Sequence, residues 1–145
     1  MRISSREAAE DTARRAAALL AHDPRVRLVF LFGSSADPGR KTVRDVDLAI
    51  LCEPSLSLDD LTKLRADVIG ASRALIDLVS LNQASVVLAK EVADTGRCLF
   101  ASSPEVETEF VTRARARFWD FKPFLEEQWR LSGERLEERR RGPTS

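Results

Sequence analysis

Apolar residues recur in two different rhythms along the chain, and each rhythm indicates a different kind of secondary structure. From about Ser5 to Ala21, alanines and leucines return every three or four residues behind the capping-box pair Ser4 and Glu7, which predicts a first helix. Val26 to Phe32 is a short, continuous apolar run that stops at Gly33, as is typical of a buried strand. We therefore expect helices and strands to alternate from the beginning of the chain.

The central part of the chain repeats this alternation. Val46 to Leu51 predicts a second strand, and the spacing of leucines from Leu58 to Val68 predicts an amphipathic helix. Leu75 to Leu81 predicts a third strand, in which Asp77 is the one acidic interruption. An acid inside an apolar run requires an explanation beyond core packing.

The last third of the chain is predicted to be mainly helical. Asn82 is expected to cap a helix that runs through Asp94 and ends at Gly96, before a short strand from Arg97 to Ala101. A last helix should start at Ser103 to Glu105, because apolar and aromatic residues follow at spacings of three or four. Pro123 is expected to kink or divide that helix.

The length and composition of the chain predict one domain. Its 145 residues are 43% hydrophobic, which is enough for one ordinary core. We expect a single domain over residues 1–138 and a flexible tail over residues 139–145. The predicted fold class is α/β (α+β): a small mixed β-sheet with helices mainly on one face and a long C-terminal helical segment.

Charge and cysteine usage exclude several classes of protein. The 23 basic and 23 acidic residues cancel, so direct nucleic-acid binding through a broad basic surface is not expected. No apolar stretch approaches the roughly 20 residues that cross a bilayer, and no secretory signal is evident, which predicts a cytoplasmic protein without a membrane span. Cys52 and Cys98 lack close His or Cys partners and are expected to be reduced core residues.

Two short patterns point together to phosphate chemistry. Gly33 and Ser34 follow the first predicted strand, and after ten intervening residues Asp45 and Asp47 alternate at the second. Because successive side chains of a strand point to opposite faces, the two carboxylates should share one face. Backbone N–H groups of a Gly-Ser turn that opens a helix can hold phosphate oxygens, and carboxylates can hold magnesium.

Asp77 extends this pattern if the third predicted strand neighbours the second. Three carboxylates would then converge at one end of the sheet, and their repulsion is tolerated chiefly when metal ions neutralise it. Two magnesium ions held by Asp45, Asp47 and Asp77 would suit in-line displacement at phosphorus. Taken singly, the turn and each acid more often have only a structural role, so the prediction depends on their order and spacing.

These residues also carry a family resemblance. The segment from Leu31 to Ala36, followed by Asp45 to Ile50, resembles the G-S-x10-D-x-D signature of the polymerase-beta-like nucleotidyltransferases. The small size of the chain and the segments from Ile76 to Asn82 and from Val87 to Leu99 are similar to the minimal nucleotidyltransferase antitoxins of HEPN/MNT toxin-antitoxin modules. The resemblance covers roughly Val26 to Ala101.

The resemblance implies an activity, a cofactor and a partner. Antitoxins of this family are adenylyltransferases that use ATP and magnesium to attach AMP to a tyrosine of a HEPN ribonuclease toxin, with which they associate. The resemblance implies that Asp45, Asp47 and Asp77 are the catalytic and metal-binding residues. It implies that Gly33, Ser34 and their neighbour Ser35 bind the nucleotide.

The loop after the Gly-Ser pair departs from the family pattern. Many relatives carry an arginine, expected to face the phosphates, where this chain has Asp37 followed by Pro38. Arg40, Lys41 or Arg44 could supply the missing positive charge.

The sequence also offers three alternatives to this function. A spacing of six residues between Arg15 and His22 fits the loose R-x4-6-H pattern of the toxins themselves, but the three strands argue against an all-helical toxin. An antitoxin that neutralises its toxin by contact alone remains an alternative. A nucleotidyltransferase that modifies a small molecule such as an aminoglycoside is a further alternative, although the chain has little length to cover such an acceptor.

Overall fold

The computed structural model describes residues 6–36, 45–72 and 75–141, and for Arg6, Ser34, Ser35, Arg140 and Arg141 it describes the backbone only. The elements follow in the order α1 (Arg6–Leu20), β1 (Val26–Phe32), a short 3-10 helix (Gly33–Ala36), β2 (Val46–Cys52), α2 (Leu58–Ser72), β3 (Ile76–Ser80), α3 (Val86–Thr95), β4 (Arg97–Ala101) and α4 (Pro104–Arg141). All the predicted strands are present, and β1 and β4 have the predicted bounds.

The four strands form one mixed sheet in the order β3-β2-β1-β4. Strand β1 is antiparallel to both of its neighbours, whereas β2 and β3 run parallel. The end of β1 and the beginnings of β2 and β3 therefore lie at the same edge of the sheet. This edge carries the Gly-Ser turn and the three acids.

Helices cover both faces of the sheet, so the expectation that they lie mainly on one face is wrong. Alanines and leucines of α1 and α2 pack with Val29, Leu48 and Leu78 into one buried cluster. On the opposite face, α3 and α4 pack against Leu28 and Phe30. Strand residues are apolar on both sides because each side lies under a pair of helices.

Helix α3 begins later than predicted. Ser85 is its N-cap, and the Ser85 hydroxyl accepts a hydrogen bond from the Leu88 N–H at 3.1 Å. The Asn82 amide instead donates to the Cys52 carbonyl at 2.8 Å and accepts from the Cys52 N–H at 2.9 Å. Asn82 therefore joins the segment after β3 to the end of β2, and Gly96 ends the helix as predicted.

Helix α4 is a single helix of 38 residues that passes through Pro123, so the proline does not divide it. At 1.5 Å per residue the helix is about 57 Å long. It reaches Arg141, beyond the predicted start of the tail at residue 139. From Trp119 onward the helix exposes large apolar side chains, namely Trp119, Phe121, Phe124, Trp129 and Leu136.

Within the described residues, no helix is both long and apolar enough to span a membrane.

Candidate active site

The structure brings the three predicted acids to one edge and one face of the sheet. Asp47 and Asp77 are directly opposed in the parallel pair β2–β3, so their side chains leave the same face side by side. Asp45 immediately precedes β2 and lies two positions before Asp47, which places it on that face as well. The condition of the prediction, that the third strand neighbours the second, is met, and a joint site of the three acids stays a prediction.

The turn after β1 lies directly against one of these acids. Phe32 pairs with Asp47, and Gly33 follows in a left-handed conformation with φ of 70°. A Cβ atom built on Gly33 would stand 2.6 Å from Oδ2 of Asp47, closer than any real side chain allows. The backbone angle therefore favours glycine, and a larger residue would also displace the Asp47 carboxylate.

Ser34 and Ser35 continue from Gly33 in the 3-10 helix that ends at Ala36. The predicted role of their hydroxyl groups stays a prediction, since the structure describes only the backbone of these two serines. The predicted phosphate-binding cations lie outside the described residues, as do the two positions where the loop departs from the family pattern. The cations are Arg40, Lys41 and Arg44, and the two positions are Asp37 and Pro38.

The surroundings of Asp47 favour the protonated form of its carboxyl group. Asp47 is half-buried, whereas Asp45 and Asp77 are exposed. Burial, the negative charge of Asp77 and that of Asp45, in this order, raise the pKa of the Asp47 carboxyl above its usual range. A cation at this edge of the sheet would relieve that repulsion, so the electrostatics fit a metal-binding function.

The carboxylates do not by themselves form a complete metal site. Among residues 6–36, 45–72 and 75–141, no three His, Cys, Asp or Glu side chains stand together as a metal-binding group. Magnesium commonly takes only one or two carboxylates and completes its shell with substrate phosphates and water. The arrangement therefore fits a metal that arrives with a phosphate substrate, and coordination by all three acids stays a prediction.

The two cysteines have no part in this edge of the sheet. Cys52 is buried at the far end of β2, and Cys98 is half-buried in β4; both are free thiols. Burial is the main cause that raises the pKa of each thiol to about 11. They are reduced packing residues, as the sequence predicted.

Arg27 is a charged residue to which the sequence patterns assigned no function. Arg27 stands inside the apolar run of β1, and it lines a cavity at the opposite end of the sheet from the acids. An arginine within an otherwise apolar strand was the available signal.

Comparison with known proteins gives the same family as the signature residues. Residues 15–105 match the family described as polymerase beta, nucleotidyltransferase, a span that contains the whole sheet and the three acids. Protein adenylyltransferase MntA of Shewanella oneidensis is 30% identical over 84 residues, which are 58% of this chain. The matched region spans 60% of the length of that relative.

Solved structures share the fold. A toxin-antitoxin structure with AMP-PNP superposes with a TM-score of 0.66 and 22% identity, covering 80% of this chain and 98% of that chain. A structure of a tri-AMPylated Shewanella oneidensis HEPN toxin in complex with an MNT antitoxin gives a TM-score of 0.65 and 21% identity, over 83% of this chain and 98% of that one. The mixed sheet and the long last helix are thus those of a nucleotidyltransferase fold. With the matched family model, they show that this chain belongs to the polymerase beta nucleotidyltransferase family.

Proposed function

We propose that this protein is an antitoxin adenylyltransferase, which transfers AMP from ATP to a hydroxyl group, that of a tyrosine, on a cognate HEPN ribonuclease toxin. The observation that carries the proposal is the edge of the sheet where Asp45, Asp47 and Asp77 share one face and Gly33 lies against Asp47. Carboxylates beside a tight glycine turn combine the two requirements of nucleotidyl transfer, a place for metal and a place for phosphate.

Each residue of this edge has a defined task in the proposed reaction. Gly33 lets the backbone turn close beside Asp47, so that N–H groups of Ser34 and Ser35 can hold oxygens of the triphosphate. Asp45, Asp47 and Asp77 are assigned as ligands of two magnesium ions. When bound, magnesium would neutralise the phosphates and the leaving pyrophosphate and favour ionisation of the acceptor hydroxyl.

The proposed step is an in-line displacement at the α-phosphorus of ATP. The acceptor oxygen forms a bond to this phosphorus while the bond to the bridging oxygen breaks, so pyrophosphate leaves with that bond's electron pair. Asp77 is exposed at the edge and is assigned to accept the hydroxyl proton. The products are the AMP-modified acceptor and pyrophosphate.

The exposed aromatic residues of α4 support the proposed association with a protein partner. Trp119 is 62% exposed and Trp129 is 56% exposed, and Phe121 and Phe124 lie between them on the same helix. Exposed aromatic residues of this density are enriched in protein interfaces and uncommon on a solvated surface.

Because the reaction consumes ATP, we place it in the cytoplasm.

To test the proposal, the protein is incubated with a candidate HEPN toxin, magnesium and ATP labelled at either the α- or the γ-phosphate, and the label on the toxin is measured. Label should reach the toxin from the α-position only. In the Asp45→Asn/Asp47→Asn variant, transfer should fall at least about 100-fold, since even partners of metal ligands contribute 10- to 100-fold. Transfer that survives this double substitution would refute the assigned site.

An antitoxin that acts by contact alone is the second candidate, favoured by the exposed aromatic residues of α4. The two candidate functions are distinguished by measuring whether the protein inhibits the toxin's ribonuclease activity in the absence of ATP. Binding alone predicts full inhibition by the Asp45→Asn/Asp47→Asn variant, whereas catalysis predicts inhibition only by wild type with ATP. Trp129→Ala should weaken association with the toxin in either case.

A further inference from the structure

A cavity of about 510 Å³ lies between the sheet, α3 and α4. Its apolar wall includes Leu51, Leu81 and Phe110, and its charged lining includes Arg27, Arg113, Arg117, Glu53 and Glu109. The volume is in the range of small-ligand sites, which are mostly apolar with a few converging polar groups. The cavity is therefore large enough for an organic ligand and amphipathic in character.

The cavity is distinct from the candidate active site. It opens beside Cys52, at the end of β2, whereas Asp47 lies near the beginning of that strand. Leu51, the cavity-lining residue of β2 nearest to Asp47, lies four positions further along the strand, which is about 13 Å. None of the three acids lines the cavity.

A β-bulge directs Arg27 into this cavity. The register of β1 against β2 shifts between Val26 and Leu28, which leaves Arg27 as the extra residue. Val26 is buried on the α1–α2 face and Leu28 on the α3–α4 face, where Arg27 also lies. Bulges characteristically re-aim a side chain, and here the side chain is an arginine aimed at a cavity.

The arginines of the cavity have unused hydrogen-bonding capacity. Nε of Arg27 is buried without a hydrogen-bond partner in the described part of the structure. Arg27, Arg113 and Arg117 form no ion pair among the described residues, although Arg115 on the same helix pairs with Asp94. A buried donor without a partner is costly, and an anionic ligand would satisfy it.

We propose that this cavity binds a small organic phosphate, which consists of a phosphoryl group joined to a flat apolar body. Arg27, Arg113 and Arg117 hold the phosphoryl oxygens, while the apolar body packs between Leu51 and Phe110. The three arginines outnumber the two glutamates, so the charge of the lining favours an anion. This binding site is independent of the proposed transfer reaction.

The test is isothermal titration calorimetry of the protein with phenyl phosphate and with AMP, in the absence of divalent metal. At least one of them should bind saturably, and more tightly than inorganic phosphate or neutral adenosine. Arg27→Met and Arg113→Met should each weaken that binding at least about tenfold, the value of one charged hydrogen bond. Arg113 is exposed on α4, so its substitution preserves the fold even if Arg27→Met does not.

Two controls identify the site. Arg15→Met, on α1 at the other face of the sheet, should leave the affinity unchanged. Asp47→Asn should also leave it unchanged, which distinguishes this cavity from the edge that carries the acids. The proposal is overturned if neither compound binds, if binding is indifferent to Arg27 and Arg113, or if Asp47→Asn abolishes it.

Discussion

At the scale of single residues, the contact between Gly33 and Asp47 ties the backbone of the turn to a carboxylate. Gly33→Ala would place a methyl group 2.6 Å from the Asp47 oxygen and force a side chain into φ of 70°. We expect a loss of about 1–3 kcal/mol in the free energy of unfolding, together with loss of transfer activity, because Asp47 must move.

The matched control is Gly70→Ala. A Cβ atom at Gly70 meets nothing within 4 Å, and Gly70 lies inside α2. Alanine there should raise the free energy of unfolding by about 0.5–1 kcal/mol and leave activity unchanged. Urea unfolding of both variants checks the pair; equal stability of Gly33→Ala and wild type would contradict the described contact.

Asp47 is also the residue at which stability and function oppose each other. Burial and two neighbouring acids raise the pKa of Asp47, so its ionised form destabilises the metal-free protein at neutral pH. We expect Asp47→Asn to raise the melting temperature without magnesium. Magnesium with an ATP analogue should stabilise wild type but not the variant.

Asp67→Asn is the control for this comparison, because Asp67 is an exposed residue of α2. It should change neither the melting temperature nor its response to magnesium. A melting temperature of Asp47→Asn below that of wild type would argue against electrostatic repulsion at the edge of the sheet.

The cysteine thiols should be unreactive in the folded protein. The pKa of Cys52 and of Cys98 is raised to about 11 by burial, so the thiolate forms only as the pH approaches that value. At pH 8 we expect both to react with a disulfide reagent at least about tenfold more slowly than in guanidinium-unfolded protein. Equal rates in the two states would contradict their burial.

At the scale of secondary-structure elements, Asn82 holds the end of β2 to the segment that leads into α3. Asn82→Ala removes two hydrogen bonds to the Cys52 backbone and should lower the free energy of unfolding by about 1–3 kcal/mol. Gln83→Ala, at the exposed neighbouring position, should have little effect. Chemical denaturation measures both, and similar losses would show that the bridge contributes nothing specific.

The elements that the sequence predicted best are those whose pattern is local. The ends of strands β1 and β4 were predicted correctly because Gly33 ends one apolar run and Gly96 precedes the other. Asn82 was assigned as a helix cap because asparagine caps helices, but a tertiary contact with Cys52 decides its role. Pro123 lacks a backbone donor, yet the helix continues through it.

At the scale of the whole molecule, the sequence predicted strands that carry the glycine turn and the acids, but not how helices cover the sheet. Adjacent strands bring Gly33, Asp47 and Asp77 to one edge, but the sequence left the adjacency of β2 and β3 open. The position of helices on both faces depends on long-range packing, as with Phe30 against Phe110 at 5.4 Å between ring centres. The cavity around Arg27 is a product of that packing and a strand irregularity, which the sequence pattern does not encode.

The most direct measurement of the central claim is a crystal structure with manganese in place of magnesium and a non-hydrolysable ATP analogue. Anomalous scattering locates the metal independently of the protein. We expect manganese bound to carboxylate oxygens of Asp45, Asp47 and Asp77, with the triphosphate against the Gly33 turn. Metal at another place, or a triphosphate separated from Gly33, would contradict it.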